Sequence, residues 1–269
     1  MSFMKSNGKC EVKEYHKRVN ERKWYKRIKH FIFVYLIYWP ILRPLYYLLG
    51  VYRIYLERPG TFTFQERSYH YFYHWYGLTF LIERAIEVPI IWQKVQLYAG
   101  RRILEVGNSL SNFFSFQHDT LDKHDKTDGV INQDVVDFST TEPYDLIVSI
   151  STLEHVGWDE TPKDGKKTLI ALESMIRCLA PGGELVITFP LGHNTEMDKL
   201  FKENKLRFTE TYYLQRISHY SNRWIEVGWS DVREAKYGYP FRSGNAVVIG
   251  IIKRNKDGTI RPFKDIRNE

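Results

Sequence analysis

The succession of short apolar runs after residue 100 constrains this fold more than any other feature. "RRILEV" (101–106), "GVINQDVV" (129–136), "YDLIVSI" (144–150), "ELVITF" (184–189) and "AVVIGIIK" (246–253) are separated by turns or by helix-patterned segments. Runs this short and apolar read as strands buried on both faces. Alternating with helices, they predict a mainly parallel α/β sheet covered on both sides. The helices are legible too. "LIERAIEVPIIWQKVQLYA" (81–99) spaces its apolar residues at helical intervals, and "DGKKTLIALESMIRCLA" (164–180) sets Leu169, Leu172, Ile176 and Leu179 on one face before Pro181-Gly182-Gly183. In such sheets ligands bind beyond the carboxyl ends of the strands, so the residues just past each run are the ones to weigh.

With 269 residues there is room for one large domain and an extension. The extension carries the charge. Residues 1–30 hold ten Lys or Arg against three acidic residues, which accounts for the whole net charge of +7 and leaves the remainder neutral. A basic leader ahead of a neutral body argues for nucleic acid less than a basic folded face does. Next comes "FIFVYLIYWPILRPLYYLLGVYRIYL" (31–56), interrupted by Pro40, Arg43 and Pro44. That interruption disfavours a clean spanning helix, which needs ~20 mostly apolar residues, and no small-residue cleavage site follows it as a secretory signal requires. Two readings stay open. In one, Lys and Arg face anionic lipid heads while Trp24, Tyr38, Trp39, Tyr46 and Tyr47 sit at headgroup level. In the other, the same aromatics pack on the main domain as a helical lid. Pro59-Gly60 marks the boundary, giving a basic, aromatic extension over 1–60 and a main domain over 61–269. Cys10 and Cys178 show neither metal nor redox spacing, so no metal site is expected and a cytoplasmic setting is, at a membrane face if the extension binds lipid.

"ILEVGNSLS" (103–111) passes from apolar strand to small polar residues within four positions. Gly107 brings no side chain between backbone and ligand, Ser109 and Ser111 are small donors, and amides at the start of a following helix favour an anionic group. Glu105 adds a negative charge beside them. That pairing suits a ligand with both an amino group and a carboxylate.

The stretch resembles the first motif of class I S-adenosylmethionine-dependent methyltransferases, with only Gly107 kept of the three glycines usual there. Other segments resemble the family in the same order: "HDTLDK", "VINQDVVDF", "YDLIVSISTLEHVGW" and "LAPGGELVITFP". The resemblance implies a Rossmann-like, mainly parallel seven-stranded sheet with helices on both faces, the last two strands falling within residues 220–253, plus a helical, aromatic-rich N-terminal extension. It implies S-adenosyl-L-methionine as cofactor, held by Glu105, Gly107, Asn108 and Ser109. Asp122 would take the ribose hydroxyls, with Asp119 and Asp125 as alternatives; Asp134 the adenine amino group, with Asp137 as alternative; Val135 the ring; and Ser149, with Ser151, the sulfonium. Only a very short helix fits after the first strand, and none after the second.

On the acceptor side, His155 is a candidate base with Glu154 as its neighbour, and His193, Asn194 and Trp158 are candidate acceptor contacts. The aromatics of "WYGLTF" (75–80) are candidates for a roof. The expected reaction is methyl transfer to an oxygen of a small molecule, sugar or lipid-linked saccharide. Its rivals are an inactive cofactor-binding scaffold and an RNA methyltransferase using the basic leader.

Overall fold

The computed structural model describes residues 43–56, 60–218 and 221–266. The chain divides into two units, Met1–Leu56 and Glu57–Glu269. In the first, α1 (Arg43–Val51) continues as a π-helical turn, Tyr52–Leu56. Trp24, Tyr38, Trp39, Cys10 and the rest of the basic leader lie outside the described residues, as does Pro59. Among the described residues no helix is long and apolar enough to cross a membrane.

The second unit opens with a hairpin, β1 (Thr61–Phe64) and β2 (Arg67–His70), followed by α2 (Arg84–Leu97). The main sheet then takes β3 (Ile103–Val106), β4 (Asp119–Leu121), β5 (Val130–Ile131), β6 (Tyr144–Ile150) and β7 (Leu179–Pro190), with α3 (Lys167–Arg177) before β7. After β7 come α4 (Thr195–Lys202), β8 (Glu210–Arg216), β9 (Trp224–Val227), α5 (Trp229–Val232) and β10 (Ala246–Lys253). The spatial order is β5-β4-β3-β6-β7-β10-β8-β9. The first five are parallel, and β10 runs antiparallel to both β7 and β8.

The Rossmann-like expectation holds, with two corrections. The sheet has eight strands instead of seven, because β9 adds itself antiparallel to β8 at the edge. β9 and β10 fall within the 220–253 window, but β8, which joins β10 in the sheet, lies ahead of it; its "ETYYLQR" carries polar residues at both ends around Tyr212-Tyr213-Leu214 and so lacks the apolar signature of β6 and β10. Pro181-Gly182-Gly183 does not end the helix segment as a free turn. It lies inside β7, where the pairing with β6 shifts between Tyr144–Leu179 and Leu146–Glu184.

Both faces of the sheet's centre are covered, which is why its central strands β3, β6 and β10 are largely apolar. Leu146, Val148 and Ile150 of β6 and Val247, Ile249 and Ile251 of β10 pack with Ile86, Ile90 and Ile91 of α2 and with Phe62 and Phe64 of the hairpin. Ile147, Leu185, Ile187, Phe189 and Val248 face the other way, toward Leu172 and Met175 of α3 and Met197 and Phe201 of α4. At Gly250 of β10 a Cβ would stand 2.5 Å from the Phe208 ring, so the missing side chain is what admits that ring. The aromatics of 71–76 pack rather than present a stacking platform: Tyr71 is buried and accepts the Trp224 amide at 2.8 Å, and Phe72 meets Phe113 edge-on.

Candidate functional site

A cavity of about 650 Å³ opens at the carboxyl ends of β3, β4, β5 and β6. Gly107, Asn108, Ser109, Asp122, Asp134, Val135 and His155, all singled out above, line it. They come from four separate strand tips. Asp119, Asp125 and Asp137, the alternatives, do not line it. Asp119 sits at the start of β4, where it accepts from Tyr144 Oη at 2.9 Å.

The loop after β3 is held by carboxylates from below. Glu105 is fully buried, and its Oε1 accepts the amides of Ser109 and Leu110, each at 2.8 Å, while Oε2 lies 3.3 Å from His118 Nε2. Glu105 therefore does not line the cavity; it shapes the loop that does. The expected anion-favouring amides are correspondingly taken up. Asp122 Oδ1 accepts the amides of His124 and Asp125 at 2.7 and 2.9 Å, and Oδ2 accepts that of Asn108 at 3.1 Å. A carboxylate offers about four lone-pair sites, so one on Oδ2 remains for a ligand.

Gly107 has φ +86°, a region costly for other residues, and a Cβ there would stand 2.1 Å from Thr152 Oγ1. Its bareness serves contact with the loop after β6, as well as the cavity wall. After β3 only a 3₁₀ turn, Leu110–Asn112, fits, and no helix follows β4, as the spacing predicted.

On the β5 side, Asp134 Oδ2 lies 2.7 Å from Lys123 Nζ, which also reaches Glu160 at 2.8 Å. These bonds push the Lys123 ammonium up to about 12, and Lys123 with Lys167 holds Glu160 down at about 2. Val135 is buried and supplies an apolar wall.

Past β6 the wall is made by Ser151, Thr152, His155 and Asp159. Ser149 is not among them: it is fully buried one residue before the strand ends, paired with Val106 and Ile187. Ser151 takes its place, at φ +40°, with its hydroxyl donating to Glu87 Oε1 of α2 at 2.6 Å. From the same helix, Arg84 donates to the Ile150 carbonyl at 2.8 Å. His155 keeps 45% of its side chain exposed, and its Nδ1 lies 2.6 Å from Asp159 Oδ2. Sequence reading missed Glu87 and Ser151's bond to it because 64 residues separate them. Asp159, by contrast, had a readable signal in its i+4 spacing from His155.

Glu154 lies behind His155, its Oε1 3.8 Å from Nε2, and is 1% exposed with no hydrogen bond to Oε2. Burial, reinforced by the Glu87 and Glu83 carboxylates, pushes its carboxyl well above the usual range. Burial pushes Glu87 up as well. His193 is ring-stacked edge-on against His155 at 4.8 Å and Tyr237 at 4.9 Å, with its buried Nδ1 making no hydrogen bond. Burial and the neighbouring His155 lower its imidazole.

Asn194 is not an acceptor contact. It is the N-cap of α4, accepting the amides of Glu196 and Met197 at 3.1 and 2.9 Å and donating to the Glu154 carbonyl at 2.8 Å. Trp158 lies under Lys163 at 3.4 Å and does not line the cavity, nor do the aromatics of 75–80; Phe80 is buried against Trp75.

Strand order, the reversed β10 and a cavity at the parallel strand tips define a Rossmann-like α/β fold with its candidate ligand site at the carboxyl edge of the sheet. No family model matches the chain, and no curated protein does. Among solved structures it is similar to the N-methyltransferase NodS from Bradyrhizobium japonicum in complex with S-adenosyl-L-homocysteine, at 16% identity and TM-score 0.41, over 64% of this chain and 87% of that one. A possible histamine N-methyltransferase from Thermotoga maritima is similar at 15% identity and TM-score 0.37, over 65% and 92%. The sugar N-methyltransferase KedS8 from Streptoalloteichus follows at 12% and 0.33, over 64% and 88%.

Proposed function

We propose that the chain is an S-adenosylmethionine-dependent methyltransferase acting on an oxygen of a small molecule, a sugar or a lipid-linked saccharide. One observation carries the reading: a single cavity gathers Gly107–Ser109, Asp122 and Asp134-Val135 from three successive strand tips. Its volume suits a nucleoside-sized ligand, Asp122 keeps a lone pair for a ribose hydroxyl, and Val135 offers a face for a base. Bound S-adenosylmethionine supplies a methyl group already activated on a sulfonium. The protein's part is to bind and orient. His155, with Nδ1 directed at Asp159, leaves Nε2 as the atom that takes a proton from an acceptor hydroxyl.

Calorimetric titration with S-adenosylmethionine and S-adenosylhomocysteine tests the cofactor. The wild type binds saturably, and Asp122→Ala weakens binding about tenfold or more, the usual cost of a lost hydrogen bond to a charged group. No heat of binding from the wild type sinks the reading. Given an acceptor, His155→Ala lowers kcat about 10²- to 10⁴-fold with the cofactor Kd unchanged.

The sealing of the Ser109 and Leu110 amides by Glu105 favours a second reading, a cofactor-binding scaffold without turnover. Weak or absent binding in the same titration selects it. An RNA methyltransferase instead shows RNA binding that falls steeply with salt.

A further inference from the structure

Four charged side chains from four separate segments join into one chain of contacts along the rim of the cavity. Lys123, past β4, places Nζ 2.7 Å from Asp134 Oδ2 past β5 and 2.8 Å from Glu160 Oε1 past β6, and Glu160 Oε2 accepts in turn from Lys167 of α3. Lys123, Asp134 and Glu160 all line the cavity. In the sheet, β3 lies between β4 and β6, so the tips of those two strands stand about 10 Å apart, two strand spacings. The Lys123–Glu160 pair therefore spans the tip of β3, where Gly107, Asn108 and Ser109 line the same cavity.

Little besides these ion pairs holds the segment that carries Glu160. Residues 157–164 form a loop closed at its neck, where the Asp164 amide donates to the Gly157 carbonyl at 2.8 Å. Beyond the neck Asp159, Thr161, Pro162, Lys163 and Asp164 are exposed, and only Trp158 and Glu160 are partly covered. A loop that buries so little apolar surface opens at small cost, which leaves its tip to the ion pairs. Lys123 and Lys167 hold the Glu160 carboxyl down at about 2, so it stays charged around neutral pH.

We propose that the Lys123–Glu160 pair is a strap across the mouth of the cavity, which a nucleoside ligand must part to enter and part again to leave. The strap sets how fast the ligand exchanges and not how tightly it binds, because opening costs the same with the cavity filled or free. The identity of the ligand rests on the methyltransferase reading.

Surface plasmon resonance of S-adenosylhomocysteine over the immobilised full chain tests the strap. That ligand carries no net charge near neutral pH, so salt acts on the ion pairs and not on the ligand's approach. Partly exposed ion pairs are individually weak, and Glu160→Gln breaks two of them; association and dissociation are expected to quicken together by about three- to tenfold, with Kd within about twofold of wild type. Glu160→Lys, which sets a third ammonium beside Lys123 and Lys167, quickens both further. Raising salt from about 0.05 to about 0.5 M speeds exchange in the wild type and leaves Glu160→Gln unmoved. The salt series needs only the wild type, so it decides even where a variant fails to fold. Rates in both variants equal to wild type overturn the strap, as do wild-type rates that ignore salt. Faster dissociation with unchanged association also overturns it, because Glu160 then touches the ligand directly. A wild type that binds no ligand overturns the methyltransferase reading and the strap with it, whereas once binding is seen the rates judge the strap alone.

Discussion

The two walls of the cavity are built on opposite plans. Along β3, β4 and β5, each carboxylate is engaged: Glu105 by two amides, Asp122 by three, Asp134 by Lys123. Behind the residues that line the cavity past β6, buried polar atoms stand without hydrogen bonds, Glu154 Oε2 and His193 Nδ1 among them, and burial holds Glu87 and Glu154 above the usual carboxyl range. An unmade buried hydrogen bond costs ~1–3 kcal/mol, so the second wall is kept in a costly state that the first avoids. The first wall uses its charges to fix loop shape.

Four variants break or sharpen that contrast. Gly107→Ala strikes the point where the walls touch, forcing a Cβ into Thr152 at a positive φ; a loss of ~3 kcal/mol or more is expected in denaturant unfolding, with cofactor binding abolished. Adding Thr152→Gly removes the clash and leaves ~1–2 kcal/mol of backbone strain. A single variant as stable as wild type refutes the contact.

Glu154→Gln acts next. Because the folded-state pKa is raised, the stability linked to the protonated carboxyl is present in acid and lost as pH rises through that raised value. The variant therefore gains over wild type toward alkaline pH, by ~1–3 kcal/mol. A gap that widens toward acid contradicts the account.

Asp198 on α4 accepts the Gly192 amide at 2.9 Å beside His193, and burial pushes its carboxyl up to about 6. Wild-type stability linked to it is full below its ordinary 3.8 and falls as pH rises through about 6. Asp198→Asn keeps the acceptor and removes the charge, flattening Tm against pH by the equivalent of ~1–2 kcal/mol once screening is allowed for. Smallest is Lys123→Met on the first wall. Its ion pairs with Asp134 and Glu160 are partly exposed, so a loss within ~1 kcal/mol is expected, reduced further by salt. A larger loss shows that the network carries the loop.

What the sequence made legible follows from local rules. β6 and β10 were readable because burial on both faces demands apolar residues at every position, and α2 and α3 because helical spacing persists over several turns. Gly107 and Asp122 were readable because each directly follows a strand, and Asp134 because it lies three residues past one, which places all three at strand tips. β8 and β9 were harder: a strand polar at both ends and a four-residue edge strand leave a weak local signal. Ser149 and Ser151 stood together as candidates because sequence cannot say where a strand stops lying inside the sheet and begins to face a cavity; only Ser151 lines it.

By itself, then, the chain's order of residues determined the sheet's strand class, the compressed loops after β3 and β4, and which strand tips carry carboxylates, since these depend on periodicity and spacing. Only the tertiary structure decided what each carboxylate does. Whether Glu105 seals a loop, Glu87 grips Ser151 from 64 residues away or Asn194 caps α4 depends on which donors packing brings within about 3 Å, and no local pattern encodes that distance.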